Sequence, residues 1–76
     1  MKAFIEIKIE AGSNILSIIS ALKNIEGVKD ATAVTGHADI LLSIESPDLN
    51  TLADTITNKI HAIRGVENTE TMICVE

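Results

Sequence analysis

A chain of 76 residues, 46% of them apolar and with a net charge of −5, makes one small domain with an aliphatic interior. The excess of acid argues against direct contact with nucleic acid, where lysines and arginines must neutralise phosphates. A single cysteine, Cys74, excludes an internal disulfide or a CxxC site and reads as a small buried hydrophobe.

Phe4 is the only aromatic residue, so the core must be built from Ile, Leu, Val and Ala. A domain of this size buries only about 60% of the surface its unfolded chain exposes. Part of so large an apolar share is therefore expected on a subunit interface. Met1 to Glu6 carries charge too early for a signal peptide, and no apolar run approaches the ~20 residues that span a bilayer. The expectation is a soluble, cytoplasmic protein with no membrane partner.

Residues 3–9 alternate, with Ala3, Ile5, Ile7 and Ile9 on one face and Phe4, Glu6 and Lys8 on the other. Period two with β-branched residues predicts a strand. Ala11-Gly12 breaks it. Ser13 reads as a helix N-cap, and Ile15, Ile18, Ile19, Leu22 and Ile25 follow at helical spacing. Gly27 is the expected stop, in the left-handed C′ conformation. Val28 to Thr35 is a second strand whose mixed, small residues suit an edge. Gly36-His37 is expected to close a tight hairpin with glycine at its first central position.

Ala38 to Glu45 is the third strand, and its aliphatic density places it centrally. Ser46-Pro47-Asp48 then opens the second helix, with Ser as cap, Pro at the first helical position and Asp facing the dipole. Leu49, Leu52, Ala53, Ile56, Ile60 and Ile63 form its apolar stripe, Lys59, His61 and Arg64 gather near its end, and Gly65 stops it. Val66 to Val75 is the last strand. Thr69, Thr71, Ile73 and Val75 share one face, Glu70, Met72 and Cys74 the other; alternation alone leaves open which face meets the helices.

The halves echo each other: Ile25-Glu26-Gly27-Val28 returns as Ile63-Arg64-Gly65-Val66. Strand-helix-strand, hairpin, strand-helix-strand with right-handed crossovers predicts an α+β, ferredoxin-like βαββαβ fold. Two helices then cover one face of a four-stranded antiparallel sheet. The other face should carry Phe4, Glu6, Lys8, Leu41 and Ser43, with Val34 or Thr32 from one edge and Met72 and Cys74 from the other. A contiguous apolar patch of this kind is seldom left wet. Phe4, Val34, Leu41 and Met72 are therefore expected in a homodimer that packs sheet on sheet.

Chemistry is sparse. No nucleophile has a base nearby in sequence, and neither a phosphate loop nor a set of metal ligands is present. No catalytic residue, metal or cofactor is expected. A binding role is better supported, at Thr35-Gly36-His37-Ala38-Asp39 with the run Ile40-Leu41-Leu42 behind it. Backbone N–H groups around Gly36 and His37 can hold a carboxylate, and Asp39 can hold an ammonium, a combination suited to a free amino acid. Asp at the head of an apolar strand is locally unfavourable. A bond to its own turn offers repayment alongside a ligand, and the two roles can coexist. Thr69 and Thr71 add hydroxyls.

Val34 to Leu42, the Ile63-x-Gly65-Val66 junction and the closing Thr69-Glu70-Thr71 together resemble the C-terminal effector domain of the leucine-responsive regulatory protein/AsnC family, the RAM domain. The likeness covers essentially the whole chain. Gly36 and Asp39 match that family's Gly-x-x-Asp turn, with Thr35 and His37 beside it. Thr69 and Thr71 match the threonine-rich last strand. The resemblance implies a single effector domain over 1–76 without a DNA-binding domain. It also implies dimers joined through their sheets, assembly to larger rings such as octamers, and an amino-acid effector bound between dimers near the turn. A regulatory role together with full-length family members is the corresponding expectation. Two alternatives stay open: an ACT-like amino-acid-binding domain, whose ligand glycine would be Gly12, and a small dimeric αβ-barrel enzyme of monooxygenase-like or isomerase-like type.

Overall fold

The computed structural model describes residues 1–76, in the order β1 (Lys2–Ile9), α1 (Ile15–Lys23), β2 (Val28–Ala33), β3 (Ile40–Glu45), α2 (Leu49–Thr55) and β4 (Val66–Ile73). A π-turn, Ile56–Ile60, extends α2. The strands form one antiparallel sheet in the order β2-β3-β1-β4. This is the expected ferredoxin-like arrangement, with the aliphatic β3 inside and the mixed β2 at an edge. No helix is long and apolar enough to cross a membrane.

The alternation in β1 and β3 decides where the core lies. Ala3, Ile5, Ile7, Ile40, Leu42 and Ile44 are buried on one face, together with Ala31 of β2. Ile18 and Leu22 of α1 and Leu52 of α2, with Ile60 of the π-turn, close the same cluster. Both helices therefore sit on one side of the sheet. Burying each large aliphatic side chain is worth about 1.5–3 kcal/mol, and this single layer holds the fold.

Register settles the face of β4. Thr69 pairs with Ile7, Thr71 with Ile5 and Ile73 with Ala3, so these three point toward the helices. Met72 pairs with Phe4 and Glu70 with Glu6, on the open face. Leu41 and Ser43 join them across β3. Phe4 and Leu41 are half-buried, and Met72 is 44% exposed. The Lys2 ammonium stands 5.4 Å from the Phe4 ring centroid.

The element ends differ from the sequence expectation in several places. Asn14, not Ser13, caps α1: its backbone is extended and its side-chain oxygen accepts from the Ser17 N–H at 3.1 Å. Both residue types cap well, and backbone conformation chooses between them. The helix ends at Lys23, with Asn24 as C-cap, so Gly27 stops no helix. It instead takes φ +95° in the following turn, where Glu45 N–H donates to its carbonyl at 2.9 Å.

Asp48, not Ser46, caps α2, and its carboxylate accepts from the Thr51 N–H at 2.7 Å. Pro47 consequently precedes the cap, and the Ser46 hydroxyl donates to the Asp48 carbonyl at 3.1 Å. Leu49, assigned to the apolar stripe, is 54% exposed because it falls on the first turn's outer side. Leu52, Ile56 and Ile60 are spaced by four, which drifts off one face of a helix with 3.6 residues per turn. The wider π-turn absorbs the surplus residue and leaves Ile60 fully buried. β4 ends at Ile73 rather than Val75, although Cys74 N–H still donates to the Lys2 carbonyl.

Three outcomes follow from these contacts. Asn14→Ala should lower unfolding stability by about 1 kcal/mol, and Ser13→Ala by less, as read by urea denaturation. A Cβ on Gly27 would lie 2.6 Å from the Glu45 carbonyl oxygen at positive φ. Gly27→Ala should therefore cost at least about 1–3 kcal/mol in the same assay. The Thr51 backbone N–H, and then its side chain, hold the Asp48 carboxyl below its ordinary value. The carboxylate's stabilising effect is complete above the ordinary aspartate range near ~4 and is lost as pH falls through the lowered value. Asp48→Asn, which keeps a capping oxygen but cannot titrate, should give a flatter stability profile below about pH 4 in acid titrations followed by circular dichroism.

Candidate functional site

The β2–β3 connection is longer than the two-residue hairpin expected from Gly36-His37. β2 stops at Ala33 and β3 starts at Ile40, so Val34 to Asp39 form a six-residue loop. The reason lies in how Asp39 is used. Val34 N–H donates to the Asp39 carbonyl at 2.9 Å and closes the loop's base. Asp39 N–H donates to the Ile7 carbonyl at 2.9 Å, and the Ile9 N–H donates to Asp39 Oδ2 at 2.9 Å. The carboxylate thus satisfies an amide at the end of β1 rather than one in its own turn. This bond compensates for an acidic residue at the head of an apolar strand.

Above that base the loop is free. The backbone N–H groups of Thr35, Gly36, His37 and Ala38 donate to no other group of the chain. Gly36 has φ +113°, with open space where a Cβ would stand. Thr35, Gly36 and His37 are exposed, Asp39 is half-buried, and Ala38 is buried against the sheet. Four adjacent unpaired donors beside a half-buried carboxylate can receive a carboxylate and an ammonium respectively.

His37 leaves the loop toward the open face of the sheet. Its Nε2 lies 3.0 Å from Glu6 Oε2, with the imidazole 82% exposed and the Glu6 side chain 23% exposed. A small hollow of about 90 Å³ lies between loop and sheet, bordered by His37, Ala38, Glu6, Lys8, Asn68, Thr69 and Glu70. Thr69 borders it although its side chain points toward the helices, and Thr71 lies outside. The Thr69 hydroxyl is already bonded to His61 Nε2 at 2.9 Å. Thr35, Gly36, His37 and Asp39 are thus one cluster, Thr69 borders it, and Thr71 sits further along β4, paired with Ile5.

Glu6 and the Ile9 amide escaped sequence reasoning as neighbours of the site. Alternation puts Glu6 on the outer face, but its approach to His37 needs the β1–β3 register. A larger hollow of about 410 Å³ opens at the β1–α1 loop, with Gly12, Ser13, Asn14, Arg64 and Gly65 among its borders. This is where an ACT-like reading puts a ligand. Unpaired amides alone do not separate the two places, since Ala11, Gly12 and Asn14 N–H also donate to no group of the chain; the hairpin adds the half-buried Asp39 carboxylate beside its free amides. No three His, Cys, Asp or Glu side chains come close enough together to hold a metal ion.

The same fold occurs in known proteins. A family model for the Lrp/AsnC ligand binding domain matches residues 2–76. The homocitrate synthase of Sulfurisphaera tokodaii is 33% identical over 76 residues, all of this chain but 16% of that enzyme. The regulatory protein AsnC of Escherichia coli K12 is 27% identical over 73 residues, 96% of this chain and 48% of the regulator. The chain therefore spans about half of one relative and under a fifth of the other.

Among solved structures, FFRP-DM1 superposes with a TM-score of 0.89 at 31% identity, covering 97% of both chains. E. coli AsnC gives 0.92 at 27% identity, over 99% of this chain and 50% of that one. A transcriptional regulator of Neisseria meningitidis, solved as a complex with L-Met, gives 0.89 at 20% identity over 99% and 49%, a likeness of fold alone. With the match running from the second residue to the last, the ACT-like alternative gives way: the chain belongs to the Lrp/AsnC ligand-binding domain family.

Proposed function

We propose that this effector-binding regulatory module takes a free amino acid at the 34–39 hairpin, where the loop meets a neighbouring subunit. The observation that carries this reading is the row of unpaired amides at Thr35 to Ala38 beside the latched Asp39 carboxylate. The amides receive the ligand carboxylate. The Asp39 oxygen not bonded to Ile9 receives its ammonium, with Thr35, His37 and Thr69 at the border. The L-Met complex of the N. meningitidis regulator supports an amino acid as the ligand class.

In this reading two copies pair through the open face, with Phe4, Leu41 and Met72 at its centre and Val34 at its rim. Dimers assemble further, an octamer being the proposed form. A ligand bound between dimers stabilises the larger assembly by mass action. The module then acts on DNA-binding members of the family by joining their assemblies. The matches to homocitrate synthases favour a second role, in which the same module regulates a metabolic enzyme.

A thermal-shift screen of the common amino acids tests the ligand reading, each variant being compared with its own unliganded state. One or a few amino acids should stabilise the protein, by about 2.7 kcal/mol at a hundredfold excess over Kd. Asp39→Ala should weaken that binding roughly tenfold or more, through loss of a charge-assisted hydrogen bond. Gly36→Ala, which alters the loop where space is open, should also weaken it. Undiminished affinity in both variants would move the site elsewhere, and a screen with no hit would remove the amino acid as ligand.

A further inference from the structure

We propose that Glu6 is a positioning residue for the hairpin and that, through His37, it couples effector binding to pairing of the open sheet faces. The inference rests on the effector reading above and adds a route of regulation to it.

Three observations carry it. The hairpin is fastened at its base by Val34 and Asp39, while the backbone N–H groups of Thr35 to Ala38 bond to nothing in the chain. The 3.0 Å contact from His37 Nε2 to Glu6 Oε2 is therefore the polar tie between the loop's tip and the sheet. Next, Glu6 lies directly opposite Glu70 across β1 and β4. Like charges so placed repel. Lys8 lies on the same face but bridges to neither, so the His37 imidazole is the basic group that meets Glu6.

The third observation is where Glu6 stands. It follows Phe4 on the open face and pairs with Leu41 across β3. A second copy seated on that face strips water from Glu6 and Glu70. Desolvated carboxylates are costly unless paired. Face pairing therefore draws His37 down and fixes the hairpin that carries the free amides. By linkage, a ligand that fixes the hairpin strengthens face pairing by the same factor. The charged groups that border the same hollow as His37 are Glu6 and Lys8 from β1 and Glu70 from β4.

A double-mutant cycle on the full chain tests this, using Glu6→Gln, His37→Gln and the pair together. The first readout is amide hydrogen exchange at Thr35 to Ala38 by NMR. Each single variant should speed exchange about two- to fivefold, the range an exposed ion pair commands, and the double variant no more than either. The second is the dimer dissociation constant by sedimentation. His37→Gln should raise it by a similar factor in the natural background and leave it unchanged beside Glu6→Gln.

His37→Lys, which keeps a basic donor without the imidazole's shape, should reverse part of both effects when Glu6 is present and none beside Glu6→Gln; a merely space-filling contact would not be rescued in this way. Equal effects of His37→Gln in the two backgrounds, an unmoved hairpin, or a chain that stays monomeric would each overturn the coupling. Neither readout contains an effector, so failure of the amino-acid screen and failure of this cycle are separate results.

Discussion

Each strand sends alternate side chains to opposite faces of the sheet, and there are two helices to cover those faces. Both lie on the side where Ala3, Ile5, Ile7, Ile40, Leu42 and Ile44 converge, with Ile18, Leu22, Leu52 and Ile60 above them. That layer is dry and aliphatic. Everything else about the protein follows from its being the sole layer. The reverse face carries Phe4, Leu41 and Met72 within a fringe of charge, and no element of this chain covers it.

The proposed site lies where the sheet ends. Strand β3 enters the core through Asp39, and that residue does two things at once. Its main chain continues the ladder to Ile7, and its side chain takes up the Ile9 amide. The loop before it is pinned at its base, while the amides of Thr35 to Ala38 bond to no group of the chain. The chain's membership of the Lrp/AsnC ligand-binding domain family agrees with a binding module.

Much of this was legible in the residues. Period two in β1 and the density of Ile40 to Ile44 identified the buried face and the central strand, because both depend on local alternation. The open-face neighbours Phe4 and Leu41 followed from the same rule, whereas the side taken by Met72 is settled by the β1–β4 register. What escaped depends on choices between near-equal local options or on contacts distant in the chain. Ser13 and Asn14 are both capable caps, and backbone torsion selects the second. Pro47 suits a first helical turn but lies outside it, since Asp48 reaches Thr51. The length of the hairpin could not be seen without the bond from Ile9 to Asp39, which joins residues 30 apart in sequence. Glu6 and His37 meet across 31 positions for the same reason.

The π-turn at Ile56–Ile60 has an implication for how this fold can vary. A helix that swallows an additional residue without displacing Ile60 behaves as an expansion joint: length changes upstream of β4 are taken up in the coil and never reach the sheet. The loop at 34–39 has no such slack, being stitched to β1 at its exit. A residue added between Gly36 and Asp39 would instead have to bulge within the loop itself, because Asp39 is held to both Ile7 and Ile9.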